Sequence, residues 1–532
     1  MPPPVQGKAA RAMSFRNVPG REIEWINTGI ERGFSNFLFI DSRYKSNTVL
    51  RRIFSLARKH GYRSLLIDEI PENDSPLLVE ENVALRVRRP DFVDSTVHRF
   101  SFFRCEAGHT LNQEDFIGYA VFKMDSFKSP EKSVDHVFES VMPSPRDSNQ
   151  NNFIACGRNY TVSTSRGSFS TRGVLYAQQN RWTFVCAHVA LRSALACLLP
   201  ESDITYARMN ALVGIDHQKR CVGEGRGLAP DDIEKILAAV GIPFEKSIHE
   251  PNLKLAPPGD YQRDLYGFIE SGCPALLGFE SMKKPDETEG SRHIVPVFGH
   301  TFNDDTWVAD AQRTYFGGKL GYFPSENWLS AYVIHDDNFG PYFCIPRHFL
   351  RQDNFRVLFG LKRVVTHFSA VEAEAVALDY FRHLSSRCPN LDITWHDRFA
   401  VYANCGWLVL RTLLVSRDEY LAHLQSLSSW DGTTLESGIQ DHVKQQLPEY
   451  VWLVEASAPE LFSASRRKFG EVLLRTDAPR GGKMDLSLPV LARLPGVILL
   501  RRDKEIVSEA TSLQGHTDLY RHSGICREGK AE

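Results

Sequence analysis

Asn180-Arg-Trp-Thr-Phe-Val-Cys186-Ala-His-Val-Ala-Leu-Arg-Ser-Ala-Leu195 places a cysteine where an apolar helix begins. After Cys186, the residues Val189, Ala190, Ala194, Leu195 and Leu198 recur at helical spacing, and Pro200 closes the run. A sulfur in the first turn of a helix lies beside unpaired N–H groups and the positive end of the peptide dipoles. Both favour the thiolate, so the expectation is a lowered thiol pKa and a nucleophile ready near neutral pH. A buried structural cysteine is the plainer alternative for a lone Cys in an apolar run. The sequence downstream decides against it.

Gly272-Cys-Pro-Ala-Leu-Leu-Gly-Phe279 reads as a short buried strand after a helix, and a charged loop, Lys283 to Gly290, follows. His293-Ile-Val-Pro-Val-Phe-Gly299 is the next strand, Asn303-Asp-Asp305 a turn, and Thr306-Trp-Val-Ala-Asp310 a third strand. His293 thus opens one strand of an expected antiparallel pair and Asp310 closes the other, at the same edge of the sheet. Packed on the Cys186 helix, that hairpin would align sulfur, imidazole and carboxylate, with the aspartate turning the ring toward the thiol.

This order resembles the papain-like superfamily. Within it, the likeness is closest to the bacterial peptidases that remove double-glycine leaders from bacteriocin precursors, and to their stand-alone relatives. It spans about residues 175–315 and is carried by the glutamine-containing lead-in, Cys186 at a helix start, Gly225-Arg-Gly-Leu228, Gly272-Cys-Pro274, His293 and Asp310. The resemblance implies an α+β papain-like catalytic domain: a helix carrying the cysteine, packed on an antiparallel sheet carrying the histidine and aspartate. It also implies an oxyanion donor shortly ahead of the cysteine. Position 180 is Asn here, so Gln179 is the preferred donor and Asn180 the alternative, with Gln178 just before them. The family's common Asp-Cys-Gly is Val185-Cys186-Ala187 in this chain, so its glycine-selective subsite does not carry over.

Two other histidines compete for the role of base. His188 lies two positions along the helix from Cys186 and points to a different face, which suits a satisfied core or surface histidine. His300 sits at the far end of the His293 strand, with no comparably placed downstream carboxylate. Cys186 and His188 lack third and fourth metal ligands at suitable spacing. Gly223-x-Gly-x-Gly227 leads into an ordinary helix entry rather than a phosphate cradle. No cofactor and no metal are expected.

With 532 residues the chain needs more than one core. Its 63 Lys and Arg against 65 Asp and Glu leave no basic excess, so no nucleic-acid partner is expected. Ten scattered cysteines with no C-x-x-C pair fit free thiols in a reducing compartment. The Met1-Pro-Pro-Pro start has no apolar signal core, and no run is long enough for a membrane span. The expectation is a cytoplasmic protein without a membrane partner.

Four regions are expected: a flexible arm over 1–20, an α/β domain over 21–150, the catalytic domain over 151–350 and an α+β domain over 351–532. In the first domain, strand 36–41, helix 47–60 and strand 64–68 read as a βαβ unit and hence a piece of parallel sheet. Asp41 and Asp68 at the strand ends are turn residues or pocket residues. In the last domain, Ser369-x-x-Glu372 and Ser416-x-x-Glu419 read as capping boxes, and this region would recognise substrate or partner. Together these readings point to a cysteine peptidase acting on a polypeptide through an acyl-thioester. Transglutaminase- or deamidase-type acyl transfer and a non-catalytic binding module are the alternatives.

Overall fold

The computed structural model describes residues 19–27, 42–44, 47–71, 75–128, 134–145, 152–180, 185–199, 203–221, 223, 226–248, 260–280, 292–302, 321–350, 354–387, 396–426, 434, 436–462, 467–478, 487–494, 496–501, 509–512 and 520–521. These residues form a mixed α+β structure built on three seven-stranded sheets and one two-stranded ribbon. Among them no helix is long and apolar enough to cross a membrane.

The first sheet runs, in spatial order, through Arg21–Asn27, Ser64–Glu69, Phe92–Phe103, Phe116–Phe127, Val134–Met142, Gly167–Tyr176 and Arg158–Thr164. The helix expected after residue 47 forms over Thr48–Lys59. The Asn47 side chain accepts from the Leu50 N–H at its start, and Gly61 adopts a left-handed φ of 79° just past its end. Val49, Leu50, Ile53, Phe54 and Ala57 are buried against the sheet. The parallel βαβ unit, however, is not what these elements build. Ser64–Glu69 is flanked on both edges by antiparallel partners, Arg21–Asn27 and Phe92–Phe103, so no edge is left for a crossover strand. Residues 36–41 lie outside the described residues. Asp68 is fully buried and paired with Arg99 at 3.0 Å, a structural ion pair rather than a pocket group.

The second sheet orders Gly340–Pro346, Leu329–Asp336, Arg292–Phe302, Ala275–Glu280, Phe355–Leu361 and Phe244–Ile248, and Asn152–Ile154 adds to Arg292–Phe302. All its described pairings are antiparallel. Against it lies the helix Cys186–Ala196, whose Val189, Leu191, Ala194 and Leu195 join Leu276 and Phe359 of this sheet and Val141 and Leu175 of the first in one core. That helix therefore packs against two sheets.

The third sheet orders Phe323–Pro324, Val409–Ser416, Tyr450–Ser457, Gly470–Arg475, Pro489–Leu494, Val497–Leu500 and Glu509–Ser512. Both capping boxes form: Ser369 with Glu372, and Ser416 with Glu419, each exchanging side chain for backbone N–H. A row of charge crosses this sheet, because Arg411, Glu455, Glu471 and Arg493 occupy directly opposed positions on four neighbouring strands. Lys468 bridges the two glutamates, and Arg411 reaches out of the sheet to Glu270, which also holds His300 of the second sheet at 2.8 Å. Every member is buried, so the row is held together by mutual compensation of charge.

The chain does not divide cleanly at residues 150 and 350. Strands 152–154 and 158–176 go to different sheets, 323–324 joins the third sheet, and 355–361 belongs to the second.

Candidate active site

Cys186 is the first residue of its helix. Val185, the residue before it, offers no side-chain cap, and the N–H groups of Cys186 and Ala187 point to the sulfur. The expected local geometry is present, but its electrostatic consequence is reversed. Burial, and then the Asp337 carboxylate, push the thiol pKa up. The Ala187 N–H, the buried Arg220 and the thiol's own N–H pull it down by less. The balance favours the neutral thiol over the thiolate.

His293 is the second residue of the strand Arg292–Phe302 and is half-buried, with Phe279 edge-on to its ring at 5.6 Å. Its Nε2 lies 3.0 Å from Asp336 Oδ2 and 3.5 Å from Asp337 Oδ1. Burial disfavours the imidazolium, yet the hydrogen bond to Asp336 and the charges of Asp337 and Asp336 outweigh it and leave the pKa raised. With Nε2 committed to the carboxylates, Nδ1 is the ring nitrogen left to receive a proton.

Asp336 closes the strand Leu329–Asp336. Its Oδ1 accepts from the Asn338 N–H at 2.8 Å and the Phe339 N–H at 3.1 Å, in a turn completed by Gly340 at φ 102°. The carboxylate is thus fixed by its own turn before it meets the ring. Burial raises its pKa, but His293 and these two N–H groups leave it below the ordinary aspartate range. Asp337 is different: burial first, with Asp336 beside it, pushes its carboxyl up despite His293.

Among the described residues, the acid bonded to His293 is Asp336. The strand Arg292–Phe302 pairs with Ala275–Glu280 on one side and with Leu329–Asp336 on the other. The relation foreseen for Asp310, an acid closing the strand next to the one that His293 opens, is fulfilled by Asp336. Asp310 and the expected strand 306–310 lie outside the described residues. Asp336 carried a readable signal, since His335-Asp-Asp-Asn338 followed by Gly340 closes an apolar run as a tight turn would.

The three lead-in amides differ in availability. The Gln178 side chain accepts from Val137 N–H at 2.9 Å and its own N–H donates to Val137, so it extends the strand pairing. Gln179 is half-buried and makes no side-chain hydrogen bond among the described residues, while Asn180 is buried. The Gln178 oxygen is thereby tethered to Val137, while its NH2 group is not engaged by that bond.

His188 is the core histidine expected from its helical position. It is fully buried, bonds Asn210 Oδ1 through Nε2 at 2.8 Å, and has its pKa driven down to about 3 by burial and Arg220. His300 is paired with the buried Glu270, an upstream carboxylate that its position in sequence did not suggest. Part of the stretch Gly223–Gly227 lies outside the described residues.

Three groupings of histidine and carboxylate bring their donor atoms within 4.8 Å of one another among the described residues: Glu81, Asp125 and His136; His423, Glu455 and Glu471; and His293, Asp336 and Asp337. No spacing in the sequence announced them. The first two enclose a lysine, Lys123 and Lys468 respectively.

Asp337 is the link between the two halves of the candidate site. Its Oδ1 lies 3.5 Å from His293 Nε2 and its charge acts on the Cys186 thiol, while no hydrogen bond joins Cys186 to His293 among the described residues. No protein-family model matches the chain, and no curated protein or solved structure is detectably similar to it.

Proposed function

We propose that the chain is a cysteine hydrolase of the peptidase type. In this reading His293 takes the Cys186 proton at Nδ1 as the sulfur attacks the carbonyl of a peptide or isopeptide bond. The imidazolium then gives that proton to the leaving amine. Asp336 holds the ring and offsets the charge it gains, and Gln179 or Asn180 donates to the oxyanion. Water, deprotonated by the same ring, releases the acyl group and restores the thiol. The observation that carries the reading is the 3.0 Å contact of His293 Nε2 with a carboxylate already locked by its turn. Because the thiol is held up, proton transfer to His293 accompanies attack rather than preceding it. The substrate would be a polypeptide, selected by the surrounding first and third sheets.

Iodoacetamide labelling resolved by peptide mass spectrometry tests this. Cys186 should react faster than the other cysteines, and that advantage should vanish in His293→Ala. A comparison of new N-termini in cells carrying wild type or Cys186→Ala would then reveal substrates. Equal labelling of all exposed thiols, independent of His293, would overturn the proposal. The raised thiol favours a second reading, a papain-like binding module without catalysis, and that labelling result would support it.

A further inference from the structure

Of the three histidine–carboxylate groupings, two contain their own cation. Lys123 Nζ sits 3.0 Å from Glu81 Oε1 and also pairs with Asp125, and Lys468 Nζ pairs with both Glu455 and Glu471. The grouping of His293, Asp336 and Asp337 has no lysine or arginine ion-paired to either aspartate among the described residues. Its three donor atoms still lie within 4.8 Å of one another. Asp337 is 8% exposed. Its Oδ1 accepts from Asn338 Nδ2 at 3.2 Å, but its buried Oδ2 has no hydrogen-bond partner among the described residues. A buried carboxylate oxygen left bare is costly unless something positive meets it.

We infer that His293, Asp336 and Asp337 form a binding site for a divalent transition-metal ion of the zinc type, and that occupancy switches off the thiol site. One imidazole nitrogen and two carboxylate oxygens make a mixed donor set that suits zinc and its neighbours better than magnesium or calcium. Three protein ligands leave a position for water. The ion takes the lone pair of His293 Nε2, so the one proton of the neutral ring passes through water from Nε2 to Nδ1, and only a ring that began as imidazolium releases a proton to solvent. With Nε2 on the ion and the proton on Nδ1, His293 has no lone pair left to act as the base for Cys186. The switching half of this inference rests on the thiol reading above, whereas the ion site itself does not.

The test uses the full-length protein, stripped with EDTA and returned to chelator-free buffer, titrated with Zn²⁺ by calorimetry near neutral pH. Wild type, Asp337→Asn and Asp336→Asn are compared, each first shown by circular dichroism to be folded. Wild type should show one tight equivalent that weakens at least about tenfold in both variants. Superimposable isotherms in wild type and both variants would overturn the ion site. In the same samples, Zn²⁺ should slow iodoacetamide labelling of Cys186 at least about tenfold in wild type and leave Asp337→Asn unchanged. Binding lost in the variants, beside a Cys186 that is slow even without metal, would sustain the ion site and sink the thiol reading. A fast Cys186 beside superimposed isotherms would do the reverse.

Discussion

His293 Nε2 and Asp336 Oδ2 lie 3.0 Å apart because two neighbouring strands of one sheet place their ends at the same edge. The strand that opens with the histidine runs against the strand that closes with the aspartate. The turn after Asp336 holds its other oxygen with two backbone N–H groups. Ring orientation in this site is therefore a property of the sheet and not of a mobile loop.

Removing the charge at Asp336 should weaken the base without disturbing the turn, since an amide oxygen can still accept from Asn338 and Phe339. Asp336→Asn should slow Cys186 labelling by about tenfold, and His293→Ala by about 10²-fold or more. Labelling rates resolved by mass spectrometry check this. An unchanged rate in Asp336→Asn together with a slowed Asp310→Asn would return the orienting role to Asp310.

The pH profile should be displaced upward. His293 acts as a base only when neutral, and its pKa lies above the ordinary histidine value of 6.5. The acid limb should therefore fall above that pH. Asp337 raises both the imidazole and the thiol, so Asp337→Asn should move the whole limb to lower pH. Labelling rate against pH in the two proteins reads the shift and its sign.

Gln179→Ala should reduce kcat on a peptide substrate by about 10²-fold or more if its amide meets the oxyanion. Gln178→Ala should lower kcat less, because that side chain is tethered through its oxygen to Val137. The reverse ranking, or a loss confined to Asn180→Ala, would reassign the donor.

The buried row across the third sheet makes Arg411 a point of weakness. Arg411→Met leaves Glu270 and Glu455 buried without their guanidinium, and should cost about 3–5 kcal/mol. Urea denaturation followed by fluorescence measures it, and a change within about 0.5 kcal/mol would show that the row contributes little.

Ser416→Ala removes a hydroxyl that accepts from the Glu419 N–H, and should cost about 1 kcal/mol in the same assay.

The helix Cys186–Ala196, the position of His293 near the start of its strand and both capping boxes were legible from local spacing. The acid partner was not. Residues 306–310 look like the next strand by pattern, and nothing in a hydropathy pattern says that Leu329–Asp336 is the one that pairs. The antiparallel first sheet was missed for a related reason. A strand, helix, strand order suggests a crossover, yet Ser64–Glu69 takes its partners from residues before and well after that unit. The charge row left faint traces, such as Arg411 alone in an apolar strand. Its meaning depends on Glu455 and Glu270 arriving beside it.

What the sequence alone determined is what near neighbours decide: where helices start and stop, which residues alternate along a strand, and that a cysteine heads a helix. Those features rest on backbone hydrogen bonds and side-chain spacing within a few residues, so the chain states them directly. Only the tertiary structure decided which carboxylate meets His293 and that the Cys186 thiol is raised rather than lowered. Strand pairing is non-local. A pKa follows from burial and from charges such as Asp337 that the fold brings near from distant sequence.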